Sequence, residues 1–88
     1  MQEAIFNKKA EQMGDFYMYY QKRDSTIITF GICTADLDNS YIQTRLRGFK
    51  AKPGEVILWN WRYDSPLRVQ YDKIKKLTPL GAVLKNHR

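Results

Sequence analysis

EVILWNWRYDSPLRVQYDKIKKL, residues 55 to 77, holds the strongest strand signal in the chain together with its densest aromatic and basic content. Ile57, Trp59, Trp61 and Tyr63 alternate with Val56, Leu58, Asn60 and Arg62, and β-branched and aromatic side chains suit a pleated surface. Asp64-Ser65-Pro66 interrupts the run, because Pro66 has no N–H for a ladder and belongs in a turn or at a strand's first position. The return strand, Leu67 to Asp72, sets Leu67, Val69 and Tyr71 against Arg68, Gln70 and Asp72. The stretch is therefore expected to be a hairpin supplying a fourth and a fifth strand, with Lys73 to Leu77 prolonging the fifth or bending away from it.

Upstream of the hairpin, Gln2 to Met13 carries Ile5, Phe6, Ala10 and Met13 at helical spacing, and Gly14 is placed to end a short helix. Asp15 to Gln21 alternates Phe16, Met18 and Tyr20 with Tyr17 and Tyr19, apolar on both faces as in a strand of a small closed barrel. Lys22-Arg23-Asp24-Ser25 is its turn. Thr26 to Thr34 is the next strand, in which Gly31 marks a bend or a close backbone approach. Ala35 to Ser40 makes a second turn, Tyr41 to Leu46 a third strand, and Arg47 to Gly54, with two glycines and a proline, a loop. Thr78-Pro79-Leu80-Gly81 is expected to end regular structure, leaving a tail in which Val83 and Leu84 pack or fray.

Eighty-eight residues allow one domain, residues 1–88, burying about two thirds of its unfolded surface. A lone cysteine, Cys33, excludes an internal disulfide and points to a reducing compartment, the cytosol. No apolar run approaches the roughly 18 to 20 residues of a membrane span, and MQEAIFNKKAEQ lacks a signal peptide's apolar stretch. Charge is more telling. Residues 1–43 carry four basic and six acidic side chains (4 − 6 = −2), while residues 44–88 carry eleven and three (11 − 3 = +8). A one-sided basic surface attracts polyanions at long range.

A leading helix followed by five short antiparallel strands is the order of an SH3-like small barrel. Gly31-Ile32-Cys33-Thr34-Ala35-Asp36-Leu37-Asp38-Asn39-Ser40-Tyr41-Ile42 resembles the first Sm motif, a bent strand with a glycine leading through an Asp-containing turn into an apolar strand. Val56-Ile57-Leu58, Arg68-Val69-Gln70-Tyr71-Asp72-Lys73-Ile74 and Thr78-Pro79 resemble the second as bacterial Hfq proteins carry it, and the Arg68–Ile74 segment is also similar to the closing strand of WYL-type domains. The resemblance implies a mainly β fold, a five-stranded antiparallel SH3-like or Sm-like barrel with a helix at about 2–13, strands within 15–77 and a tail over 78–88. It also implies RNA as a ligand more than DNA, because Sm-like relatives favour single strands read by stacking.

Arg45, Arg47, Lys50 and Lys52 surround Phe49 and Gly48 with no acid among them, so this loop can follow a phosphate backbone while Phe49 offers a stacking face. The competing account is a solvated turn with Phe49 tucked into the core. Arg62, Arg68, Lys73, Lys75 and Lys76 are the next nucleic-acid candidates, set against a solvated outer face. Trp59 and Trp61 could form a stacking platform but share a strand face with Ile57 and Tyr63 and are expected in the core, whereas Tyr17, Tyr19 and Tyr41 are freer to face outward, for stacking or for a subunit interface. Asp36, Asp38 and Asn39 make a turn rather than a calcium loop, since no terminal Glu follows at the required spacing. Cys33 sits in an apolar strand and the one histidine, His87, in the tail, so no nucleophile–base pair is expected. No phosphate-binding glycine pattern or metal-spaced set implies a cofactor.

The sequence thus predicts a non-enzymatic nucleic-acid-binding protein acting on RNA. The alternative is a protein-interaction module, such as a small inhibitor or adaptor docking on an acidic partner or a nucleoprotein. A homo-oligomer, a dimer in the first instance, is expected because small barrels leave unpaired edge strands and Phe16–Tyr20 and Val56–Tyr63 are apolar on both faces.

Overall fold

The computed structural model of the chain describes residues 1–81. Its elements are a helix α1 (Glu3–Met13), strands β1 (Asp15–Gln21) and β2 (Ile28–Thr34), a short helix α2 (Ser40–Arg45), strands β3 (Glu55–Asn60) and β4 (Ser65–Gln70), a 3-10 turn (Tyr71–Lys73) and strand β5 (Ile74–Pro79). The expectations for Val83, Leu84 and His87 lie outside the described residues. No helix among those described is long and apolar enough to cross a membrane.

All ladders are antiparallel, and the strand order is β4-β3-β2-β1-β5. The expected closed barrel is instead one open sheet with β4 and β5 at its edges. Strand pairing fixes which residues share a face. Phe16, Met18 and Tyr20 of β1 stand opposite Cys33, Gly31 and Thr29 of β2, and Cys33 stands opposite Asn60 of β3. Leu58 and Val56 of β3 continue this inner face against Leu67 and Val69 of β4. Phe6 and Ala10 of α1 close over it with Phe16, Met18, Cys33, Leu58, Ile74 and Leu77, all buried. Phe6 packs edge-on against both Phe16 and Tyr71 at 6.2 and 5.6 Å, which ties α1 to the sheet.

The helix ends where expected: Gly14 has φ 70° and donates its N–H to the Ala10 carbonyl at 3.2 Å. Ile5, expected on its buried stripe, is exposed, because the buried positions are Phe6 and Ala10 with Met13 half-buried, one face at i, i+4, i+7. Asp24 supplies the β1–β2 turn with φ 55°, a conformation that a short polar side chain tolerates. Gly31 is a close approach: a Cβ there would lie 2.9 Å from Cys33 Sγ and 3.2 Å from Asn60 Nδ2. That fit lets the end of β3 settle on β2.

Several boundaries differ from the expectation, among them the start of β2 at Ile28 rather than Thr26. Tyr41 to Leu46 is not a strand but chiefly α2, because Asn39 Oδ1 accepts the N–H groups of Tyr41 (2.8 Å) and Ile42 (3.4 Å) and so caps a helix start. The third strand is therefore Glu55–Asn60, and Tyr41 and Ile42, which the Sm resemblance puts on a strand, are helical. Asp36 Oδ1 accepts the Asp38 N–H at 3.1 Å, the turn expected of that acidic segment. The hairpin reverses earlier than Asp64-Ser65-Pro66: residues 61–64 form the turn, with Asp64 at φ 52°, and Pro66 pairs with Trp59 on an edge strand where its missing N–H costs nothing. The return strand ends at Gln70, and Ile74–Pro79 forms a separate β5 that runs past Thr78, where regular structure was expected to stop. Its ladder with β1 on the side away from β2 makes β1 an interior strand.

Candidate nucleic-acid interface

Among the described residues, no helix lies over the outer face of β1 and β2. Register sets Tyr17 opposite Ile32, Tyr19 opposite Phe30 and Gln21 opposite Ile28, and on the other side Tyr19 opposite Lys76. Tyr17 and Phe30 lie nearly parallel, with ring centroids 5.5 Å apart and 17° between their planes, and Tyr19 adjoins Phe30 at 6.3 Å. The Arg62 guanidinium rests 4.0 Å over the Phe30 ring and donates to the Phe30 carbonyl oxygen at 3.1 Å. It also lies 4.9 Å from the ring of Tyr63, an exposed residue of the β3–β4 turn. Tyr17, Phe30 and Arg62 thus form one stack, with Tyr19 beside it and the cation of Lys76 next to Tyr19 in register.

Beyond β2 the same face is roofed. Trp59 is fully buried there, with Tyr41 of α2 and Trp61 of the turn both edge-on to it at 6.0 and 6.1 Å. The Tyr41 hydroxyl donates to the Asp64 carboxylate (2.6 and 2.8 Å to the two oxygens), and the Arg45 guanidinium covers the Tyr41 ring at 3.6 Å. That hydrogen bond to Asp64 is the main cause raising the Tyr41 hydroxyl above its ordinary pKa. Trp61, expected in the core, is exposed, because the strand ends at Asn60 and the alternation that would have buried it ends there too. Its indole N–H donates to Asp15 Oδ1 at 3.2 Å, which ties the turn to the start of β1.

The candidate residues from the sequence separate into three places. Arg62 and Lys76 join the aromatic face. Arg45, at the end of α2, is held by the Tyr41 ring and carbonyl, while Arg47, Lys50 and Lys52 are exposed on the following loop. Phe49 of that loop is half-buried with the Arg68 guanidinium 5.3 Å over its ring, between the open stacking face and the core position that the sequence offered for it. Arg68 also donates to the Lys50 carbonyl at 3.1 Å and pairs with Glu55 at 3.7 Å, and with Lys73 it lines a cleft away from the aromatic stack. Lys75 is the extra residue of a bulge in β5, between Ile74 opposite Tyr20 and Lys76 opposite Tyr19. The residue missed in the sequence is Phe30. Counting register back from a turn centred between Asp24 and Ser25 would have set it opposite Tyr19.

Cys33 is buried on the inner face, where burial pushes its thiol up to about 12, so it is no nucleophile at neutral pH. No protein-family model, no curated protein and no solved structure matches the chain.

Proposed function

We propose that this chain is a non-enzymatic RNA-binding protein that stacks the bases of a single strand on the outer face of β1 and β2. The observation that carries this reading is the Tyr17–Phe30–Arg62 stack with Tyr19 beside it: aromatic rings and a flat guanidinium plane on a sheet face that no helix covers among the described residues. Bases stack on such surfaces whatever their identity, at about 1 to 3 kcal/mol each. The phosphates are drawn by Arg62, Lys76 and the exposed Arg47, Lys50 and Lys52, within a half of the sequence carrying +8 (11 − 3). The element order, a leading helix and five antiparallel strands, supports an SH3-like or Sm-like small barrel opened along β4 and β5.

The test is a fluorescence-anisotropy titration of a labelled single-stranded oligouridine, repeated across salt concentrations and with the DNA strand of the same sequence. Affinity is expected to fall steeply with salt, and Tyr19→Ala and Arg62→Ala each to weaken it by about 1 to 3 kcal/mol, with the circular dichroism unchanged. Binding that ignores both substitutions in folded protein would end the assignment. A protein-interaction module is the second reading, favoured by the cationic cleft beside β4.

A further inference from the structure

Among the described residues, strand β4 pairs with β3 and with no other strand, so one side of its backbone is open there. In an antiparallel ladder the residues alternate between pairs that exchange N–H···O bonds and pairs whose backbone groups point away. Two hydrogen bonds set the phase. Tyr71 N–H donates to the Gly54 carbonyl at 3.0 Å, and Trp61 N–H donates to the Ile32 carbonyl at 2.7 Å, which turns Trp61 and Trp59 towards β2 and their neighbours Leu58 and Asn60 towards β4. Val69 and Leu67 therefore bond to β3, while the N–H and C=O of Arg68 and the N–H of Gln70 point out of the sheet, the Gln70 carbonyl starting the 3-10 turn. Pro66, with no N–H, bounds the open edge at one end and the 3-10 turn bounds it at the other.

This edge forms one wall of a cleft of about 630 Å³, whose opposite wall is the β1–β2 turn. Tyr20, Leu67 and Val69 give it an apolar lining. Four cations, Lys22, Arg23, Arg68 and Lys73, stand around it against two acids. Both acids are already engaged, Glu55 with Arg68 at 3.7 Å and Asp24 with Arg23 at 4.0 Å. Lys22 and Lys73 have no ion-pair partner among the described residues.

We propose that this cleft is a docking site for an extended acidic peptide of a partner protein, which adds to β4 as a sixth strand. A backbone that must be met with both donors and acceptors selects another peptide backbone, because phosphate oxygens can take the outward N–H groups but leave the outward carbonyl of Arg68 unpaired. The apolar lining and the cations together select apolar residues alternating with Asp or Glu, since successive side chains of a strand point to opposite sides. The four residues Leu67–Gln70 set a short footprint, about 13 Å at roughly 3.3 Å per residue.

The probe is an N-acetylated, C-amidated hexapeptide of alternating Val and Glu carrying a fluorophore, with a Val/Lys hexapeptide as control. In the free protein the amide hydrogens of Arg68 and Gln70 are expected to exchange fast and those of Leu67 and Val69 slowly, and the acidic peptide slows the first pair. Gln70 has φ −73° and ψ 137°, angles that proline adopts, so Gln70→Pro removes one outward N–H with the backbone in place. It is expected to weaken peptide binding at least tenfold and to leave oligouridine binding unchanged. The double variant Lys22→Glu with Lys73→Glu is expected to weaken the peptide at least tenfold as well, and decides the matter if the proline variant does not fold. Tyr19→Ala leaves the peptide bound as before, which separates this site from the aromatic face. The proposal is overturned if folded Gln70→Pro binds like the parent, if the lysine peptide binds as tightly, or if single-stranded RNA is what protects Arg68 and Gln70. A dimer in sedimentation that Gln70→Pro dissolves would give the edge to a second copy and overturn it equally.

Discussion

The outer face of the sheet is built from the same kinds of residue at both ends, yet it is core over β3 and surface over β1 and β2. Trp59 on β3 is 0% exposed, whereas Tyr19 on β1 is 39% and Ile28 on β2 is 50% exposed. The difference is a cover. Over β3, α2 and the 61–64 turn bring Tyr41 and Trp61 against the indole; over β1 and β2, among the described residues, the Arg62 guanidinium alone reaches across, onto Phe30. A face left apolar without a cover is one a protein keeps for contact with something else, since contiguous exposed apolar surface is otherwise a liability. Alternation along a strand reports which side a residue faces, and the neighbouring element decides whether that side is dry.

The largest effect expected from this contrast comes from the two tryptophans. Trp59→Ala opens a cavity under α2 and is expected to cost about 3 to 5 kcal/mol, enough to unfold a domain of this size. Trp61→Ala removes a partly exposed ring and one hydrogen bond, to Asp15, and should cost only about 1 kcal/mol. Denaturant midpoints of the two variants measure the gap directly. Equal losses would mean that Trp61 belongs to the core and that the roof over β3 is a single packed unit.

A smaller effect sets the inner face against both. The Cys33 thiol is raised from 9.0 to about 12 by burial, so it stays neutral in the folded state over a range in which the unfolded thiol ionises. A folded pKa above the unfolded one contributes stability that is complete below pH 9.0 and is lost as pH rises towards about 12. Every other ionisable group is common to both proteins, so the quantity to follow is the difference between the parent and Cys33→Ala. Their gap in denaturation midpoint is expected to narrow between pH 9 and 11, and the native thiol to resist iodoacetamide at pH 8. Rapid alkylation of folded protein would show that the inner face opens.

Much of this was legible in the sequence because it is local. Gly14 after the last buried helical position, the β1 alternation and the loop around Gly48 and Gly54 each carry their own signal, and the structure puts each where that signal places it. Gly31 was readable as a close approach, although only the fold shows that Asn60 is what approaches. The errors lie where a short polar side chain overrides a strand pattern. Asn39 caps α2 through an apolar pair, Tyr41-Ile42, that reads equally well as strand, and Asp64 in the left-handed region turns the hairpin two residues early and leaves Trp61 outside. The aromatic face was legible in part: outward tyrosines followed from alternation, but the stack needs Phe30 and Arg62 from separate segments. Arg68 and Lys73 could be named as cations, while their place beside an open strand edge depends on which strands pair.

The smallest effect tests the roof itself. Helix α2 is six residues long, too short to persist by its own hydrogen bonds, and is held by buried Ile42 and by the Tyr41 hydroxyl on the Asp64 carboxylate. Tyr41→Phe keeps the ring edge-on to Trp59 and removes only that hydrogen bond, which lies at the surface. The denaturation midpoint is therefore expected to move little. What should change is how often α2 lifts, because the hydroxyl is the described polar link between the helix and the turn. In a Trp61→Phe background, where Trp59 is the one remaining indole, Tyr41→Phe is expected to increase acrylamide quenching and to speed amide exchange over residues 40–45. If quenching stays the same, packing of Ile42 alone holds the roof. If the midpoint falls as far as it does for Trp59→Ala, α2 belongs to the core, and the distinction between a covered and an open half of the outer face is then one of degree.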